Sequence, residues 1–207
     1  MGLFKSVFKI GPWIISSKFS EFVAFLQSFC LVLCYSSDYK NEGEDRSDLV
    51  KDINMEIKYE IYIAASPEQV WDILVSNEKS SKIFHGCGIE SDFKTGSNYA
   101  YIGPGPSGDR TVHVEGKILE IVPNKILSMT LLVGSVYGEH YKNFESRTIY
   151  TLEPYGKLTR LKLVNDQIKE GDPSYERSAD GGWARVLSSI KSLAETGKPL
   201  ELPMGEG

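Results

Sequence analysis

The sequence predicts an α+β domain in which a seven-stranded, curved antiparallel sheet wraps around one long C-terminal helix, with two short helices after the first strand. Three observations predict it. Ile57, Tyr59, Ile61 and Ile63 alternate with Lys58, Glu60 and Tyr62, the period of a strand with one buried face. Between Ile89 and Asp166, alternating segments are separated by turn chemistry: Lys94-Thr95-Gly96-Ser97, Gly103 to Gly108, Pro123-Asn124-Lys125 and Pro154-Tyr155-Gly156-Lys157. Trp183, Val186, Leu187, Ile190 and Leu193 then recur at three- and four-residue steps, the stripe of an amphipathic helix.

Each element follows in order. The first strand covers 56–64. Ser66-Pro67-Glu68-Gln69 supplies an N-cap hydroxyl, a proline at the first helical position and a Gln that completes a capping box, so a helix must start there. Val70, Trp71, Ile73 and Leu74 give it an apolar face, and a second short helix runs from Asn77 to Phe84 before Gly86 and Gly88 break it. Six strands fit between the turn signals, at 89–93, 97–103, 111–122, 125–134, 144–153 and 157–166. Tyr150 and Leu152 share one face, as do Leu161 and Leu163, while Arg160 and Lys162 point the other way. The final helix spans Pro173 to Thr196; Gly197 and Pro199 end it. Its stripe can be buried only against the concave face of the sheet.

Composition sets the limits. A chain of 207 residues with 41% hydrophobic and 11% aromatic content can build one ordinary core. Its 23 basic and 28 acidic residues leave no basic excess for phosphates, so nucleic acid is not an expected partner. Three sparse cysteines, Cys30, Cys34 and Cys87, point to a reducing, cytoplasmic setting rather than a disulfide scaffold.

Residues 1–54 read differently. Lys5, Lys9 and Lys18 precede an apolar run, Phe22 to Cys34, and an acidic stretch from Asp38 to Asp52 follows. The run is shorter than the roughly 20 apolar residues of a membrane span, and extending it meets Glu21 and Lys18. A signal peptide fits its length, yet Tyr35-Ser36-Ser37 offers no clean cleavage site. The favoured reading is an extension without a fold of its own, with Met55 opening the domain. Membrane association or export follows only if residues 22–34 act as an anchor or signal. Residues 55–200 then form the domain, and 201–207 a flexible tail.

Several segments in this order resemble the SRPBCC or START-like superfamily, in the branch named for the activator of heat-shock-protein-90 ATPase. They are Ala65 to Trp71, Phe93 with Gly96, Gly116 to Pro123, Ser146 to Pro154, Thr159-Arg160-Leu161, and Gly181-Gly182-Trp183 leading into Leu187 to Gly197. The resemblance covers Met55 to Leu200. It implies the helix-grip fold, with an apolar cavity between sheet and C-terminal helix that many relatives use for hydrophobic ligands.

The residues expected to line that cavity are Trp71, Phe84, Phe93, Tyr99 and Tyr101, together with Met129, Tyr150, Trp183 and Leu187. An inward aromatic residue is more often plain core, and Tyr99 and Tyr101 either line the inside together or face water together. Two further expectations follow from the resemblance. One is a partner-binding module for a chaperone ATPase, against which stands a leader too short and too polar to be the separate N-terminal domain of the eukaryotic activators. The other is a cavity enzyme of the cyclase or hydrolase kind.

Chemistry is sparse. Gly103-Pro104-Gly105-Pro106-Ser107-Gly108 has the letters of a dinucleotide-binding loop, but its prolines lack N–H groups and a strand follows it. His85, Cys87, His113 and His140 do not have metal-ligand spacing, so no metal and no cofactor are expected. His85 with Cys87, Glu139 with His140, and the strand carboxylates Glu115, Glu120 and Glu145 are the weak candidates for nucleophilic or acid–base work. No catalytic residue is nominated.

Overall fold

The computed structural model describes residues 55–200. The expectations on residues 1–54 and 201–207 lie outside them. β1 (Met55–Ile63) leads into α1 (Pro67–Val75) and α2 (Asn77–Ile83). There follow β2 (Gly88–Ser91), β3 (Asn98–Pro104), β4 (Arg110–Val122) and β5 (Ile126–Val133). Two short 3-10 turns, Ser135–Tyr137 and Glu139–Asn143, separate β5 from β6 (Glu145–Tyr155) and β7 (Leu158–Ile168). The chain ends in α3 (Pro173–Arg177), a wide turn at Ser178–Gly182, and α4 (Trp183–Thr196).

All seven strands pair antiparallel in one sheet, in the order β1-β7-β6-β5-β4-β3-β2. The first strand therefore pairs with the last, and α1 and α2 carry the chain from one edge of the sheet to the other. The expected capping box is present: the Gln69 N–H donates to Ser66 Oγ (3.4 Å), and the Ser66 N–H donates to Gln69 Oε1 (2.9 Å).

The register puts one face of every strand on the core. Tyr150 sits opposite Leu163 and Leu152 opposite Leu161, all four buried. The outer face carries charge held in pairs, with Arg160 and Lys162 on Glu153, and Arg147 on Asp166 at 2.6 Å. α4 is fixed to the inner face at both ends. Near its start, Trp183 Nε1 donates to Asn165 Oδ1 of β7 (3.2 Å). Near its finish, the Ala64 N–H donates to Glu195 Oε1 (2.6 Å) and Lys191 Nζ to the Tyr62 carbonyl (2.7 Å). Between them Leu187 and Ile190 are fully buried, each side chain worth roughly 1.5–3 kcal/mol of apolar burial. Gly197 closes the helix in the left-handed conformation, its N–H bonding the Leu193 carbonyl (3.0 Å).

The C-terminal helix differs from the uninterrupted rod the sequence suggests. Asp180 and Gly181 leave helical geometry, and Gly181 has φ +86°. The apolar stripe begins only at Trp183, after the break, and so carries no sign of it; the break is written in Asp180-Gly181-Gly182, where glycine reaches φ > 0 without steric cost.

Candidate functional site

Although α4 is held down at both ends, space remains beside its first turn. A cavity of about 630 Å³ lies there, bordered by Gly182 of the wide turn, by Trp183 and Val186 of the helix and by inner-face residues of β3, β4, β5 and β6. Ile190 and Leu193, one and two turns further on, belong to the packed core.

Strand parity builds the wall. Tyr99 and Tyr101 share the inner face of β3, with ring centroids 5.9 Å apart edge to face. Opposite Tyr99 stands Gly116, where a Cβ would collide with the Thr130 carbonyl; the tyrosine hydroxyl donates to that same carbonyl (2.6 Å). Met129 and Leu131 continue the wall on β5, and Thr148 and Tyr150 on β6. Phe84, the C-cap of α2, packs on Tyr101 with centroids 4.6 Å apart, and Trp183 meets Tyr150 edge to face at 6.3 Å.

Burial pushes the Tyr99, Tyr101 and Tyr150 phenols above their ordinary range, and the neighbouring phenols add to the shift of Tyr99 and Tyr150. All three stay neutral at physiological pH. Thr148 is 1% exposed and borders the cavity, and its Oγ1 has no hydrogen-bond partner.

The rim is more polar. Tyr101 pairs with Val114 and Ile102 with Val112, which leaves His113 as the extra residue of a β-bulge. The bulge brings His113 to the cavity, where Nδ1 lies 2.7 Å from the Tyr137 hydroxyl and Nε2 lies 3.1 Å from the Pro104 carbonyl. Burial raises the Tyr137 phenol, with Cys87 raising it further and Arg177 lowering it. Cys87, His85, Arg177 and Ser178 complete the rim. The Cys87 thiol is pushed up by burial, so it rests protonated, the opposite of an activated nucleophile.

Six of the nine predicted lining residues border the cavity: Phe84, Tyr99, Tyr101, Met129, Tyr150 and Trp183. Trp71 and Leu187 are buried in the packed core instead, and Phe93 packs half-buried against it from a turn with φ +50°. Leu131 and Thr148 were legible from their parity with Met129 and Tyr150. Tyr137 and Arg177 had no such signal, since loops deliver them, and the bulge at His113 breaks the alternation that would have marked it.

The weak catalytic candidates do not converge. Glu115, Glu120 and Glu145 are exposed. Glu139 pairs with Lys142 at 2.5 Å, and the exposed His140 lies against Tyr141. Among the described residues, no carboxylate borders the cavity and no group of three His, Cys, Asp or Glu residues could hold a metal. No described helix is long and apolar enough to cross a membrane.

A helix gripped by a seven-stranded antiparallel sheet, with an apolar cavity between the two, defines a helix-grip protein of the SRPBCC superfamily. The chain belongs to the family described as Activator of Hsp90 ATPase homolog 1-like protein, whose model matches residues 64–195. Solved structures share the fold. A crystal structure of a Mesorhizobium loti protein is 18% identical, covering 67% of this chain and 96% of that one, with a TM-score of 0.55. The solution structure of the Aha1 dimer from Colwellia psychrerythraea is 22% identical over 70% of this chain and 98% of that one (TM-score 0.53). A Nitrosomonas europaea protein is 20% identical over 69% and 96% (TM-score 0.55). No curated protein matches the sequence.

Proposed function

We propose that this protein binds a hydrophobic small molecule in the cavity beside the first turn of α4. The observation that carries the reading is the cavity itself, whose volume of about 630 Å³ falls within the range of small-molecule sites and whose wall is mostly aromatic and aliphatic. The neutral phenols and the protonated Cys87 thiol suit binding and orientation better than turnover. The few cysteines, with Cys87 free, favour a reducing, cytoplasmic setting. Thermal-shift screening and native mass spectrometry against lipids and aromatic metabolites test the proposal. A saturable adduct that raises the melting temperature is expected; no adduct from any apolar class contradicts it.

The family description supports a second reading, a module that binds a chaperone and stimulates its ATPase. A pull-down followed by an ATPase assay distinguishes the two, since the partner-binding module raises chaperone turnover with the cavity empty.

A further inference from the structure

We propose that the cavity selects a ring-bearing organic acid with an oxygen substituent at its far end, its carboxylate at Arg177 and its distal oxygen at Thr148. The inference rests on the ligand-binding reading above and narrows it to a chemical class.

Charge at the rim comes first. Among the described residues, Arg177 is the one Lys or Arg bordering the cavity, no carboxylate borders it, and Arg177 forms no ion pair. Most of the other cations of the domain are engaged: Arg110, Arg147 and Arg160 each hold a carboxylate. A guanidinium left without a partner at the mouth of an apolar cavity favours an anion, above all a planar carboxylate that accepts two parallel hydrogen bonds. It stands on a suitable mount, since α3 joins α4 through the break at Gly181 rather than as part of the helix that packs the core.

The second observation lies at the buried end. Thr148 Oγ1 is buried without a partner on the cavity-facing side of β6, opposite Met129 and Asn165. A buried hydroxyl left unsatisfied destabilises the fold, so a ligand that supplies a hydroxyl or carbonyl oxygen there gains what the empty protein lacks. A plain alkyl chain would leave that hydroxyl against methylene groups. The rings of Tyr99, Tyr101, Tyr150 and Trp183, set edge to face, offer a flat body the contacts that aromatic pairs prefer.

The test compares four probes on the full chain by calorimetry: 6-hydroxy-2-naphthoic acid, its methyl ester, 2-naphthoic acid and decanoic acid. The hydroxy acid is expected to bind most tightly, with the ester and the acid lacking the hydroxyl each about 5- to 10-fold weaker. Arg177→Met should erase the preference for acid over ester. Thr148→Val should erase the preference for the hydroxylated acid over 2-naphthoic acid. Arg177 is exposed and Thr148→Val keeps the side-chain shape, so both variants should fold. Equal binding of acid and ester, or a preference for decanoic acid, overturns this inference while the ligand-binding reading stands. Binding of none of the four overturns this inference, whereas the ligand-binding reading falls only if the wider screen of lipids and aromatic metabolites also gives no adduct.

Discussion

The indole N–H of Trp183 donates to the side-chain carbonyl of Asn165 (3.2 Å), and this bond joins the start of α4 to the inner face of β7. Asn165 is itself fully employed, with Nδ2 donating to Ser146 Oγ (3.1 Å) and to the Arg147 carbonyl (3.0 Å). A polar residue 4% exposed on a largely apolar sheet face is tolerated because each of the groups Asn165 presents has a partner.

Asn165→Ala removes three hydrogen bonds and leaves the Trp183 N–H buried without a partner. The expected loss is about 2–3 kcal/mol, read as a lower guanidinium midpoint with an unchanged denaturant slope.

The grip of the sheet on the helix depends more on apolar burial than on polar ties. Ile190 is 0% exposed on α4, so Ile190→Ala should cost about 2–5 kcal/mol through lost contacts and the space left behind. Ser188, two residues earlier and exposed on the opposite side of the helix, is the control: its hydroxyl bonds only the Ala184 carbonyl of its own helix. Ser188→Ala should stay within about 0.5 kcal/mol of the parent.

Thr148→Val should raise stability in the absence of ligand by about 1 kcal/mol, because it replaces an unpartnered buried hydroxyl with a methyl group of similar shape. The denaturation midpoint of the empty protein reads this directly. A fall in the midpoint would mean that Oγ1 has a partner, such as an ordered water, after all.

Acid should loosen the end of α4. The Ala64 N–H and Lys191 hold the Glu195 carboxyl below its ordinary value of 4.5 in the folded state. A depressed folded pKa gives stability that is fully present above the unfolded value and is lost as pH falls through the folded one. Stability should therefore decline from about pH 4.5 downward, and Glu195→Gln should be less stable than the parent at neutral pH but show a flatter acid limb. A parallel acid limb in the two proteins would remove Glu195 from the account.

Much of this was legible in the sequence because periodicity reports burial. The strand period located Ile57 to Ile63, and the helical stripe from Trp183 to Leu193 located α4, each bounded by its own stop or cap. The same logic nominated Tyr99, Tyr101, Met129 and Tyr150 for the cavity lining, while leaving open which way the shared face of Tyr99 and Tyr101 turns. Periodicity cannot separate a cavity wall from packed core, which is why Trp71 and Leu187 stood beside them. It also fails wherever the backbone leaves regular geometry. His113 reaches the rim through a bulge, Tyr137 through 3-10 turns and Arg177 through the helix before a kink, three positions set by tertiary pairing rather than by local pattern.

The central claim is that space between α4 and the sheet takes an apolar molecule, and a cavity-filling variant tests it most directly. Val186 borders the cavity from α4 and is half-buried, so Val186→Phe should fill part of the space with little effect on the fold. Titration with a neutral, environment-sensitive naphthalene dye should give saturable, blue-shifted emission with the parent protein and clearly weaker binding with Val186→Phe at an unchanged melting temperature. Equal binding by the two proteins, or no binding by the parent, would contradict the account.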